Sequence, residues 1–237
     1  MAIMFYRRNL ISLLSMILLA SCSKKIEKTE IVEKWPDDTQ KTVHEYFSVN
    51  DSSFRETEFY KSGKLKSKYY FKDGKIEGIA FGLFESGDTA QISHFKKGVK
   101  NGLEKTWYES GELWSQYIFK DGKKISGNHF FRNGQATAQL KFNDGFVVWG
   151  EYYHPNGKIR SKGSITLNKK VGDWEYYYEN GNIKEFGRYV NGKEAGVWEY
   201  YHQNGNLKEM GEYKNGKKTG VWQEFDEEGN LIHDIYF

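Results

Sequence analysis

The chain has 237 residues, with 35 lysines and arginines against 32 acidic side chains, six histidines and one cysteine. So even a balance argues against the basic stripe of a nucleic-acid-binding domain, and a lone cysteine excludes a disulfide framework. Stability must come from strand pairing and from the burial of 16 Phe, 17 Tyr and 7 Trp.

Residues 1–21 read as an address. Arg7 and Arg8 precede the apolar run from Leu10 to Ala20, the basic-then-apolar order of a secretory signal and too short for a comfortable membrane span. The ending Leu19-Ala20-Ser21-Cys22 resembles the bacterial lipoprotein cleavage motif. That resemblance implies that Cys22 is lipidated, becomes the mature N-terminus and holds the protein at the cell envelope membrane. Ser23 favours the outer over the inner membrane. With Arg7 and Arg8 removed, 33 basic side chains face 32 acidic ones.

Residues 22–34 are polar and charged and are expected to form a lipidated tether, short and helical in part. Lys24 and Lys25 lie beside the lipid and add attraction to anionic headgroups, on the order of 1 kcal/mol each. Residues 35–53 contain the turn-like Pro36-Asp37-Asp38-Thr39 and are expected to form a degenerate cap repeat, since terminal repeats shield the end of a stack.

Residues 54–237 are periodic. Gly63, Gly87, Gly111, Gly134, Gly157, Gly181, Gly205 and Gly229 recur every 23 or 24 residues, the signature of one supersecondary unit copied along the chain. A second turn follows at Gly74, Gly98, Gly122, Gly145, Gly192 and Gly216, with Lys169 in its place in the Asn168-Lys169 copy. Asp-Gly and Asn-Gly between apolar runs are strong hairpin signals, because glycine accepts the positive φ of tight turns. Each unit is therefore two short strands and two turns. The predicted fold is all-β, an elongated antiparallel β-hairpin meander of tandem ~24-residue repeats behind a signal peptide. Phe237 falls on a repeat position, so no appended C-terminal domain is expected.

Positions are numbered below from the first-turn glycine of each copy. At −4 stand Phe59, Leu83, Trp107, Phe130, Tyr153, Tyr177, Tyr201 and Phe225, and at +2 Leu65, Thr89, Leu113, Ala136, Ile159, Ile183, Leu207 and Leu231. A three-residue loop ending in a left-handed glycine sets −4 opposite +2. At +8 stand Phe71, Phe95, Phe119, Phe142, Ile165, Tyr189, Tyr213 and Phe237. An even separation predicts that +2 and +8 share one face. Trp174, Trp198 and Trp222 stand at −7, an odd distance from −4. Either they face the other side of the sheet, or a bulge at the preceding Gly-Val or Gly-Asp restores the register. If exposed, Trp174, Tyr176, Trp198, Tyr200 and Trp222 would form an aromatic binding platform; if packed, they are core.

No catalytic constellation emerges, so a non-enzyme without cofactor or metal is expected. His154 and His202 share the −3 position two units apart. At about 4.8 Å per strand that is roughly 19 Å, too far for one metal ion. Recurrent Glu175, Glu199, Glu185 and Glu209 suit cross-strand pairing with lysines better than a carboxylate pair. The glycines serve turns and match no phosphate-binding loop.

The pattern Gly196-Val197-Trp198-Glu199-Tyr200-Tyr201, then Asn204-Gly205, then Gly211-Glu212-Tyr213-Lys214-Asn215-Gly216-Lys217 resembles the MORN family in its bacterial variant repeat. The likeness covers roughly residues 54–237, is clearest over Gly172 to Lys193 and Gly196 to Lys217, and weakens where Ala80, Glu104 and Gly127 replace the tryptophan. Proteins built from this variant are grouped as YwqK-type antitoxins of toxin–antitoxin systems, which implies a binding protein that neutralises a partner. An exported version would act as an immunity lipoprotein. The expectation is thus a membrane-anchored module for a protein partner, with no nucleic acid. The alternatives are an envelope glycan-binding protein and a passive scaffold.

Overall fold

The structure, a computed structural model, describes residues 25–48 and 52–237. The signal peptide and Cys22 lie outside the described residues. Among the described residues there are nineteen strands and no helix. The first are β1 (Lys28–Lys34), β2 (Gln40–Tyr46), β3 (Phe54–Phe59), β4 (Leu65–Lys72), the two-residue β5 (Lys75–Ile76), β6 (Gly78–Leu83) and β7 (Thr89–Lys96). Then follow β8 (Val99–Trp107), β9 (Leu113–Lys120), β10 (Lys123–Phe130), β11 (Ala136–Asn143), β12 (Phe146–Tyr153) and β13 (Ile159–Thr166). The array closes with β14 (Lys169–Tyr177), β15 (Ile183–Val190), β16 (Lys193–Tyr201), β17 (Leu207–Lys214), β18 (Lys217–Phe225) and β19 (Leu231–Tyr236).

Strands pair antiparallel with their chain neighbours, except that β5 and β6 both lie against β4, so the sheet is one continuous meander. The same order runs through β19. The sheet begins earlier than the sequence boundary at Trp35. Residues 28–34, expected to be tether and partly helical, are β1, paired with β2 from Lys28 opposite Tyr46 to Lys34 opposite Gln40. The physical reason lies in the turn. Asp38 takes a positive φ of 65°, and Trp35 N–H and Asp38 N–H close the loop onto the carbonyls of Thr39 and Trp35. A hairpin so closed makes the preceding residues a strand.

The two turn types follow from their residues. In the second turn both central residues have positive φ, as at Asn191 (52°) and Gly192 (83°), which is the two-residue hairpin geometry that matches strand twist. One copy departs from its sequence assignment. Leu167 (48°) and Asn168 (61°) hold the two central positions, so Asn168 takes the glycine's place and Lys169 already begins β14. The first turn is the three-residue loop: Gly181 N–H donates to Tyr178 O at 2.9 Å, and Tyr178 N–H to Asn182 O at 2.9 Å. The expected pairing of −4 with +2 holds in all eight copies, from Phe59 opposite Leu65 to Phe225 opposite Leu231.

The expected shared face of +2 and +8 does not hold. Tyr177 faces Ile183 but Tyr176 faces Glu185, so Lys184 is an extra residue and the parity inverts just after +2. The +8 residues therefore lie with the tryptophans: Tyr189 meets Trp174 and Trp198 edge-on, with centroids 6.3 and 5.1 Å apart. A second irregularity precedes each tryptophan. Gly163 faces Trp174 while Ser164 faces Val171, so Gly172 and Asp173 are additional in that ladder. The same dipeptide insertion recurs at Gly196-Val197. Where the ladder is interrupted, the indole Nε1–H donates to a backbone carbonyl: Trp174 to Ser164 (2.9 Å), Trp198 to Arg188 (3.2 Å), Trp222 to Glu212 (3.1 Å).

From Trp174 to Tyr177 the strand is regular, so Trp174 and Tyr177 face opposite sides. The tryptophan side is the core: Trp174, Tyr189, Trp198 and Trp222, flanked by Tyr152, Ile165, Tyr176, Tyr200, Tyr213 and Ile235. A single sheet buries these rings because each indole lies over a glycine of the preceding strand. Gly163 and Gly187 are the cross-strand partners of Trp174 and Trp198, Gly211 lies beneath Trp222, and a Cβ on any of the three would overlap the indole. In earlier copies the sizes are swapped. Tyr117 stands opposite Gly127, and Leu140 opposite Gly150. In β19 Ile235 occupies the glycine position opposite Trp222 and packs on it.

Candidate functional site

The structure assigns the sequence-predicted aromatic row to the core. Trp174, Trp198 and Trp222 retain 2, 1 and 0 % exposure. Tyr176 and Tyr200 stack beside them at 5.9 and 6.1 Å, and their hydroxyls meet those of Tyr189 and Tyr213, each at 3.1 Å. Burial, reinforced by these phenol pairs, pushes both Tyr176 and Tyr200 well above the ordinary tyrosine range. Lys218 Nζ covers Trp222 at 3.9 Å from the ring centroid. No open indole face is left on which a sugar ring could stack, so the five residues do not make the expected platform. The odd spacing from −4 carried the correct face; what the sequence did not carry was the glycine beneath each ring.

The first-turn edge is a ladder of side chains that cap the next copy's backbone. His154 Nε2 donates to Tyr177 O at 2.9 Å, Tyr178 Oη to Tyr201 O at 2.7 Å, and His202 Nε2 to Phe225 O at 3.0 Å. A carbonyl only accepts, so Nε2 carries the proton in both imidazoles. Asn156, Asn180 and Asn204 repeat the device one turn further out, donating to the carbonyls of Glu179 (2.8 Å), Gln203 (2.9 Å) and Glu227 (2.7 Å). The repeated histidines thus stitch copies together. Among the described residues no group of three or more His, Cys, Asp or Glu side chains is placed to hold a metal.

One tryptophan is open to solvent. Trp114, at +3 of its copy, is 48 % exposed. It sits at the β8–β9 hairpin where Trp107 faces Leu113 but Thr106 faces Ser115, so Trp114 is the extra residue of that ladder. The bulge turns its side chain outward. Its ring lies 6.4 Å from Tyr108 and 6.1 Å from His129, and the Arg132 guanidinium covers Tyr108 at 4.9 Å. His129 hydrogen-bonds the Tyr117 hydroxyl. Burial, with the nearby Lys124 charge, pushes His129 below its ordinary pKa. The sequence held a signal for this cluster: other copies place Lys66, Ala90, Thr137, Arg160, Lys184, Lys208 or Ile232 at +3, so an aromatic residue there is out of pattern.

A groove of about 960 Å³ lies further along, around β13 and β14, with Tyr152, Ser161, Lys170 and Tyr176 in its wall.

Comparison with known proteins places these features in a family. The model of the MORN repeat variant matches residues 55–73, 100–121, 150–165, 170–191, 195–215 and 218–237, together half of the chain. No curated protein matches. Among solved structures, part of "Crystal structure of GtfA/B complex" is similar over 47 % of this chain and 21 % of that one, at 15 % identity and a TM-score of 0.32. "Crystal Structure of TcdB2-TccC3" is similar over 84 % of this chain and 13 % of that one, at 10 % identity and a TM-score of 0.23. The chain thus spans about a fifth of the length of one and 13 % of the other, and at these scores neither bears on its function.

Proposed function

The chain belongs to the MORN repeat variant family, and from that premise we propose that it is a membrane-anchored, non-catalytic module that binds a protein partner. The observation that carries this reading is the cluster of exposed Trp114 and Arg132 around half-buried Tyr108 on the sheet. Trp, Tyr and Arg are the residue types that dominate binding energy at protein interfaces. Held by a bulge and by neighbouring strands, they lose little conformational freedom on docking. The anchor is Cys22, and the compartment is the bacterial envelope, the outer membrane in preference to the inner. Neutralising a toxin in that compartment is the form of partner binding that the variant repeat suggests. The glycan alternative needed exposed indoles in a row and has lost them.

The test is affinity capture of the tagged, lipidated protein from detergent-solubilised membranes, with wild type and Trp114→Ala in parallel. A stoichiometric protein that is lost with Trp114→Ala while the fold is kept supports the reading. Recovery of the bait alone, or retention of the partner by the variant, sinks it. Cys22→Ala is expected to move the protein from the membrane to the soluble fraction; unchanged fractionation would refute the anchor.

A further inference from the structure

Equivalent lysines recur on the core side of the sheet; two of the four are neutralised by a carboxylate, while Lys124 lies over the Tyr117 ring at 3.7 Å without one. Lys218 pairs with Glu209 and Lys100 with Glu104. Lys170 stands at the same repeat position as Lys218, but the residue equivalent to Glu209 is Ser161 in its copy. Its Nζ donates to the Tyr176 hydroxyl at 2.5 Å and sits 4.8, 4.9 and 5.0 Å from the ring centroids of Trp174, Tyr176 and Tyr189. No carboxylate comes within ion-pair distance of it among the described residues. Burial lowers its pKa, and Glu185 and Glu194 counter this only through space. A half-buried ammonium with aromatic cover and no counter-ion is an attachment point for an anion.

Lys170 opens into the groove of about 960 Å³, whose lining also holds Arg160, Lys184 and one acid, Glu179. Glu185 is 4.0 Å from Lys184 Nζ, which leaves Lys170 and Arg160 as the cations of the lining without an ion pair among the described residues. Arg160 and Lys184 sit at the +3 bulge position, which turns side chains outward as it does Trp114. The groove follows the strands, from Asn168 in one turn to Asn180 and Gln203 at the opposite edge. At ~3.3 Å per residue, the nine-residue β14 gives it roughly 30 Å of length. That is the shape of an extended chain. A sugar would need open ring faces, and Trp174 is 2 % exposed. Cations, phenols and side-chain amides are what the wall presents, matching carboxylates and peptide carbonyls.

We infer that this groove takes an extended acidic peptide segment of a protein partner, with one of its carboxylates paired to Lys170. The inference rests on the protein-binding reading and adds to it a second contact, remote from Trp114.

The experiment titrates the full-length protein in detergent micelles with an amide-capped oligoglutamate decapeptide. Oligoglutamine, oligogalacturonate and inorganic phosphate are run as comparisons. Oligoglutamate is expected to bind in a salt-sensitive manner and better than all three. Lys170→Gln should weaken it by about tenfold or more, as loss of a desolvated charge partner does. Lys170→Arg should keep most of the affinity, and Lys218→Gln should leave it unchanged. Circular dichroism of each variant confirms that the sheet is retained. Equal binding of oligoglutamine, indifference to Lys170→Gln, or tighter binding of oligogalacturonate or phosphate overturns the inference. If the membrane partner is still captured through Trp114 while oligoglutamate fails, the groove assignment falls and the protein-binding reading stands.

Discussion

Gly187 faces Trp198 across the β15–β16 ladder, and the indole occupies the volume that a Cβ on that glycine would need. The relationship explains how a one-layer sheet buries tryptophan almost completely: the partner strand withdraws its side chain and the ring lies flat in the gap. It recurs at Gly163 with Trp174 and at Gly211 with Trp222, and its mirror image occurs at Tyr117 with Gly127.

Gly211→Ala should therefore cost about 1–3 kcal/mol by overpacking, and Trp222→Ala about 3–5 kcal/mol by leaving a cavity. The swapped pair Gly211→Tyr with Trp222→Gly reproduces the arrangement of Tyr117 and Gly127. Chemical denaturation should show it more stable than the sum of its single changes, with a coupling of about 0.5–3 kcal/mol. Strict additivity would mean the two residues do not share one space.

The hairpin at Leu167 and Asn168 carries two non-glycine residues at positive φ, and Leu167 is 76 % exposed there. A left-handed conformation costs an ordinary L-residue roughly 1–2 kcal/mol. Replacing the dipeptide by the Asn-Gly of the following copies should raise stability by about 1 kcal/mol, read as a higher midpoint in urea. A lower midpoint would show that Leu167 makes a contact worth more than the strain.

Each edge rung should be worth a single hydrogen bond. His202→Phe removes the donor to Phe225 O and is expected to cost about 0.5–1.5 kcal/mol. Hydrogen exchange should report faster opening in β18 and β19 and leave β3 to β9 unchanged. Uniform acceleration along the chain would contradict the nearest-neighbour coupling expected of a repeat stack.

Alkaline pH should loosen the face opposite the tryptophans. Burial, then the hydrogen bond to Glu151 or Glu199, pushes Tyr153 and Tyr201 each up to about 12 from 10.0. A raised pKa means that the folded state prefers the neutral phenol. The stabilisation is complete below pH 10.0 and is lost as pH rises toward about 12. Ultraviolet difference titration should show these phenols ionising late, with stability falling across the same interval. Glu151→Gln should bring Tyr153 down; an unmoved Tyr153 would assign its shift to burial alone.

Much of this architecture is legible in the residues themselves. The period of the turn glycines, the positive-φ turn chemistry and the pairing of −4 with +2 are local. They depend on a few consecutive residues and on backbone geometry that glycine and asparagine make affordable. Parity across a bulge is not local. The extra residues at Lys184 and at Gly172-Asp173 invert which side chains share a face, and only the pairing of whole strands reveals them. Exposure is less local still. Trp174 and Trp114 are the same residue type in the same sheet, yet one is 2 % exposed and the other 48 %. What separates them is the partner supplied by the neighbouring strand: Gly163 makes room beneath the first, while a bulge turns the second toward solvent. The sequence by itself determined the repeat and its turns. Which aromatics pack and which face water was decided by tertiary structure, because burial is a property of the space between strands rather than of any one strand.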